Sequence, residues 1–211
     1  MELRGYIDEH GTKRFAKWFQ SLDAIAAAKV TIALTRMGQG NLSNSKGVGG
    51  GVLEYKIDFG PGYRIGRDGV RLVILLGGGA KKCQDTDIAS AQECRNAGLT
   101  TNGGRNMPLT HDFKETIRAR AQSDPKFRKA LLREAVESYL NGDLETGKAV
   151  LRDYVNATVG FKALEEKTDI PAKSLMRMLG PKGSPSAANL ASILTALQKT
   201  EGVHFQLALR P

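Results

Sequence analysis

Between residues 98 and 106 the chain reads Gly-Leu-Thr-Thr-Asn-Gly-Gly-Arg-Asn, a run with one large apolar side chain. Such a run cannot offset its ordering entropy by burial, so it reads as a linker. It divides the 211 residues into two halves, each long enough for a core of its own. Met107-Pro108 follows directly and resembles a second protein start. The expected organisation is therefore a domain over 1–97, a linker over 98–106 and a second domain over 107–211.

Both halves are basic, with 15 Lys+Arg against 10 Asp+Glu in 1–106 and 16 against 12 in 107–211, and the whole chain carries +9. An anionic partner is favoured, nucleic acid first, although charge alone predicts only non-specific attraction. The apolar residues fall in short runs, the longest being Val70 to Leu76 broken by Arg71, far below the roughly 20 residues of a bilayer span. Met1 to Asp8 carries Glu2, Arg4 and Asp8 and lacks the apolar core of a secretory signal. A cytoplasmic protein without a membrane partner is expected. Cys83 and Cys94 fit neither a disulfide framework nor a zinc site, and His10, His111 and His204 have no ligand partner at suitable spacing. No metal is expected.

Hydrophobic spacing predicts the elements. In the first half, Leu3 to Ile7 reads as a strand, and Phe15, Trp18, Phe19 and Leu22 share a helical face. A second helix aligns Val30, Ala33, Leu34 and Met37 before Gly38 and Gly40 stop it. Then the period becomes two: Leu53, Tyr55, Ile57 and Phe59 face one way, with Glu54, Lys56 and Asp58 on a wet face. Gly60-Pro61-Gly62 turns the chain, Tyr63 to Ile65 is a short strand, Gly66 to Gly69 a hairpin turn, and Val70 to Leu76 a central strand. A helix from Asp85 to Glu93 closes an α+β unit with an antiparallel meander.

The second half shows helical spacing without a convincing internal strand. Asp124-Pro125 opens one helix, and others are expected over about 143–155 and 158–167. After a tight turn at Thr168-Asp169-Ile170, Pro171 opens a short helix to Leu179. Gly180-Pro181-Lys182-Gly183 ends it, and Ser186 starts a last helix with Ala187, Leu190, Ile193, Leu194 and Leu197 on one face. Val203 to Leu209 is expected to be a C-terminal β tail on this otherwise all-α domain.

Two sets of residues carry candidate chemistry. Over about 158–197, a helix, a three-residue turn and a second short helix bring Leu164, Leu175 and Leu179 to a common core and leave Lys173 and Arg177 on an exposed face. That is the layout of a helix-turn-helix, with Ala172, Lys173 and Ser174 near the reading end and Arg177, Lys182 and Ser184 toward phosphates or base edges. The competing reading is a helical bundle with a solvated basic face. In the first half, Arg64, Arg67, Arg71, Lys81 and Lys82 converge with Tyr63 and Gln84 on one sheet edge and its loop. Such a set suits an RNA backbone, a stacked base and the charge that builds on phosphorus as a 2′-hydroxyl attacks. The plainer alternative is a basic strand edge that deters aggregation. The glycine runs 47–51 and 77–79 fit neither a Walker loop nor a dinucleotide fingerprint, so no cofactor is expected.

Several of these residues carry a resemblance. Leu3-Arg-Gly-Tyr-Ile-Asp8, Phe15-Ala-Lys-Trp18, Gly40-Asn41, Gly60-Pro-Gly-Tyr-Arg64, Leu75-Leu-Gly-Gly-Gly79 and Lys82-Cys-Gln-Asp-Thr-Asp-Ile88 resemble the HigB-type toxins of the RelE/ParE superfamily. Residues 107–211 resemble the partner HigA-like antitoxin, with a helix-turn-helix of the Xre type. The resemblance implies both products of one toxin-antitoxin operon in a single polypeptide. It implies a RelE-like domain that cuts messenger RNA on the ribosome, with Arg64 and Lys82 as catalytic residues and Tyr63, Lys81 and Gln84 in support. It further implies an antitoxin domain that binds operator DNA as a homodimer and represses its own promoter. The reading from another class is a purely DNA-binding regulator whose first 97 residues form a non-catalytic scaffold or dimerisation module.

Overall fold

The computed structural model describes residues 2–8, 10–50, 52–57, 59, 63–68, 72–80, 85–86, 88–93 and 110–206; of 63–68, 72–80 and 110 it describes the backbone course. The chain forms two compact units, 1–117 and 118–211.

In the first unit, β1 (Glu2–Tyr6) is followed by α1 (Arg14–Ser21) and α2 (Ala24–Gly38). Phe15 and Phe19, four apart on α1, are buried, and Trp18 between them is half-buried. Asp23 starts α2 by accepting hydrogen bonds from the amides of Ile25 and Ala26. The helix then buries Ala26, Ala27, Ala28, Val30, Ile32, Ala33, Leu34 and Met37, a broader face than the expected stripe. Alanines interleaved with larger apolar side chains let it pack closely over most of its girth. Four strands follow: β2 (Ser45–Gly47), β3 (Leu53–Ile57), β4 (Tyr63–Asp68) and β5 (Leu72–Ala80). Residues 85–86 and 88–93 are helical (α3), and Gln92 on α3 donates from Nε2 to the Val48 carbonyl at 3.0 Å. β6 (Thr110–Asp112) then leads into α4 (Phe113–Ser123).

The six strands form one sheet in the order β2-β3-β4-β5-β1-β6. β1 and β5 run parallel and every other pair is antiparallel. α1 and α2 lie against β1, and α1 also against β5. The unit is thus a mixed α+β structure, as its residue pattern predicts.

Four details differ from the sequence-based expectation. β4 does not turn at Gly66 but runs on to Asp68, because a register shift between Gly66 and Arg67 lets it keep pairing with β5. Gly77, Gly78 and Gly79 lie within β5, opposite Gly66, Ile65 and Arg64, rather than in a loop after it. Glu54 is buried at 7% exposure, so β3 has no fully wet face. Finally, β6 comes from beyond the polar seam, where no strand is expected, and pairs antiparallel with β1: Arg4 opposite Asp112, Gly5 opposite His111, Tyr6 opposite Thr110. The compact unit consequently ends at Ile117, twenty residues past the boundary drawn at 97.

The second unit is helical throughout its described residues. Beyond α4 it contains α5 (Pro125–Leu140), α6 (Leu144–Ala157), α7 (Phe161–Thr168), α8 (Ala172–Met178) and α9 (Ala187–Glu201). Asp124 caps α5 through the amides of Lys126 and Phe127, Asp143 caps α6 through that of Thr146, and Ser186 caps α9 through that of Asn189. Phe127, Leu131, Leu151, Tyr154, Leu164, Leu175, Ile193 and Leu197 are fully buried. A buried polar triad ties three helices: Glu201 at the end of α9 takes the Tyr154 hydroxyl at 2.7 Å and pairs with Arg128 Nε at 3.0 Å. Burial, then the bond to Glu201, holds that hydroxyl protonated far above the ordinary tyrosine range. No β tail follows over Val203 to Gln206. Gln198 takes the Val203 amide on its carbonyl and the Phe205 amide on its side chain, folding these residues back on the helix end. Residues 207–209 of the expected tail lie outside the described residues.

Candidate nucleic-acid interface

The residues from Phe161 to Ser186 are built around two short helices that cannot slide apart. α7 starts after Gly160 and ends at Asp169, whose left-handed backbone (φ 54°) reverses the chain within three residues. Aspartate accepts that conformation better than most side chains. Pro171 then presets the first turn of α8 and takes the amides of Ser174 and Leu175 on its carbonyl. Leu164 on α7, Leu175 on α8 and Leu179 just after it are all buried, as is Ile193 on α9. One side of α8 is thereby fixed to the core. The opposite side is outward: Lys173 and Arg177, one helical turn apart, are exposed, and Ala172 and Ser174 are half-buried.

Two buried or half-buried cations on α6, neither singled out by the sequence, hold the end of α8 and the loop that follows it. Arg152 Nη1 donates to the Met176 carbonyl at 2.7 Å. Lys148, four residues earlier and only 5% exposed, donates to the Gly183 carbonyl at 2.7 Å and pairs with Glu145 at 2.7 Å. The carbonyls that end a helix lack intrahelical donors, so Arg152 both satisfies that of Met176 and meets the negative end of the dipole, while Lys148 ties down the loop beyond. Their spacing at i, i+4 within a predicted helix was the available signal. The loop after α8 closes with Gly183 donating to the Gly180 carbonyl at 2.9 Å. A Cβ at Gly183 would run into the carbonyl oxygens of Arg177 and Met178, so only glycine fits. Lys182 and Ser184, on either side of it, are exposed.

Met176 is a further residue that spacing alone did not single out. It is 42% exposed, an uncommon place for a large apolar side chain, and it lies beside Arg177 and three residues after Lys173. The outward face of α8 and its loop therefore offers three cations, two hydroxyls and one apolar side chain.

The sequence-predicted residues of the first unit are placed only in part. Tyr63 and Arg64 begin β4, opposite Ala80 and Gly79 at the end of β5 and opposite Ile57 and Lys56 of β3. The topology thus sets Tyr63 and Arg64 next to the chain segment that leads into Lys81. Lys81, Lys82 and Gln84 themselves lie outside the described residues. Among the described residues, no three His, Cys, Asp or Glu side chains gather at metal-binding distance, and no helix is long and apolar enough to cross a membrane.

No family model matches the chain, and no solved structure matches it. Over 85 residues it is 41% identical to an uncharacterised protein of Haemophilus influenzae, a stretch that spans 38% of this chain and 85% of that protein. With most of that shorter protein aligned at this identity, the chain belongs to the same family as the Haemophilus influenzae protein.

Proposed function

We propose that the chain is a fused toxin-antitoxin protein of the HigB/HigA-like type, whose second unit binds operator DNA and represses its own promoter. The observation that carries this reading is the outward face of α8, with Lys173 and Arg177 exposed on a helix whose inner face is buried, whose end is held by Arg152 and whose following loop is held by Lys148. In this reading α7, the turn at Asp169 and α8 act as a helix-turn-helix. α8 enters the major groove with Ala172, Lys173 and Ser174 toward base edges, while Arg177, Lys182 and Ser184 take phosphates. Met176 would meet a thymine methyl, the one apolar feature of that groove. A homodimer would present two such helices about 34 Å apart to the halves of a palindrome.

The first unit is then the RelE-like partner, with Arg64 and Lys82 acting on messenger RNA at the ribosome and Tyr63, Lys81 and Gln84 in support. A protein about half as long as this chain, and 85% aligned to part of it, supports the view that two separate products are joined here. The alternative, a regulator whose first unit is a non-catalytic scaffold, draws support from β6, which builds residues beyond the seam into that unit's sheet.

A reporter driven by the DNA upstream of the gene tests the reading. The chain is expected to repress it and Lys173→Ala/Arg177→Ala to release it; repression that persists in the double variant removes α8 as the reading helix. In a translation extract the whole chain is expected to be inert, its second unit neutralising the first; messenger cleavage by residues 1–117 alone that vanishes in Arg64→Ala/Lys82→Ala separates the toxin reading from the scaffold.

A further inference from the structure

We infer that β1 and the Phe15/Phe19 face form a docking site for the strand-and-aromatic segment 110–117, so that the first unit is completed non-covalently from beyond the polar seam. This goes beyond the proposed function and stands independently of it.

Three kinds of interaction meet on that segment. The first is backbone pairing, since β6 covers the edge of β1: among the described residues, β1 has β5 on one side and the three residues of β6 on the other. An uncovered edge is a ready template for a strand. Next is an aromatic anchor. Phe113 is 2% exposed and sets its ring edge-on to Phe15 at 5.5 Å and to Phe19 at 5.4 Å, so removing it opens a cavity lined by two phenylalanines. The last is a keyed contact. His111 lies over Gly5, where a Cβ would run into the imidazole, and its Nδ1 donates to the Gly5 carbonyl at 3.2 Å. A carbonyl can only accept, so Nδ1 carries the proton and Nε2 accepts from the Thr116 hydroxyl at 3.0 Å. Ile117, at 5% exposure, completes the buried set.

Backbone, ring and imidazole together make a recognition sequence rather than a passive continuation of the chain. The seam that precedes it carries a single large apolar residue, so cutting there removes no residue on which this docking depends.

The test replaces residues 100–105 of the full chain with a protease site and cuts the folded protein. The two pieces are expected to elute together at micromolar concentration, and excess synthetic peptide 107–123 to displace the C-terminal piece, with the peptide carrying Phe113→Ala failing to do so. Phe113→Ala in the protein is expected to weaken the association at least about 100-fold, the size of a lost buried phenylalanine. Because that variant has a cavity, circular dichroism of the uncut form checks its fold, and His111→Ala provides a second, milder loss. Pieces that separate without any substitution overturn the inference. So do pieces that stay together equally well in both variants, since something other than this segment would then hold them.

Discussion

His111 is pushed toward its neutral form by burial, and that makes it a reporter of the first unit. Burial, followed by the nearby charge of Lys13, pushes its pKa down from 6.5, against the Gly5 carbonyl and the charges of Glu115 and Asp112. The unfolded chain therefore takes up a proton that the folded one refuses. Stability from this group is complete above about pH 6.5 and is lost as pH falls through its depressed folded value. The chain's single tryptophan, Trp18, lies in the same unit, 5.2 Å from Phe15. Its fluorescence in urea titrations should show the first unit weakening as pH falls below about 6.5, with the pH dependence flattened in His111→Gln. An unchanged profile in that variant would show that another group is responsible. Gly183 makes a second residue-scale case. Gly183→Ala forces a methyl into two carbonyl oxygens, which should cost the second unit about 1–3 kcal/mol in thermal unfolding followed by circular dichroism.

At the scale of elements, the helices were the legible part and the sheet was legible except at its edges. Spacing locates α1 and α2, and spacing with the starts at Asp124 and Ser186 locates α5 and α9, since buried residues recur at helical spacing. β6 was not legible: three residues, Thr-His-Asp, have no alternation to detect, and their strand conformation comes from β1, more than a hundred positions away. The extension of β4 to Asp68 was missed similarly, since Gly-Arg-Asp-Gly is a good turn sequence and only pairing with β5 overrides it. In the candidate site, Lys173 and Arg177 were read from spacing, but Lys148 and Arg152 were not: their i, i+4 spacing is visible, and their backbone-carbonyl partners are not. The two α6 cations lead to a prediction. Arg152→Ala frees the end of α8 and should weaken operator binding about tenfold, one charge-assisted hydrogen bond being worth about 1.5–3 kcal/mol. Arg152→Lys should recover part of it in the same equilibrium titration. Equal affinity in all three proteins would mean that α8 holds its position without this contact.

For the whole molecule, the joining of two units in one chain sets the terms of function. The two units meet within α4, at Ile117 and Arg118, so one continuous helix and not the polar seam joins them. The tyrosine-glutamate-arginine triad is the second unit's internal tie, and Glu201→Ala should cost it about 2–3 kcal/mol in urea unfolding by leaving the buried Tyr154 hydroxyl without its acceptor and Arg128 with the Ala121 carbonyl but no carboxylate. Excess basic charge in both halves means that any nucleic acid binds somewhat, so affinity alone cannot establish recognition. The decisive measurement compares sequences. In fluorescence anisotropy titrations at fixed salt, the full chain is offered the duplex upstream of its gene and a shuffled duplex of the same composition, beside Lys173→Ala/Arg177→Ala. The account predicts that the native duplex is bound at least about 1,000-fold more tightly than the shuffled one. It also predicts that the double variant loses roughly 1–3 kcal/mol per side chain on the native duplex. Equal affinity for the two duplexes, unaltered by the double substitution, would contradict it.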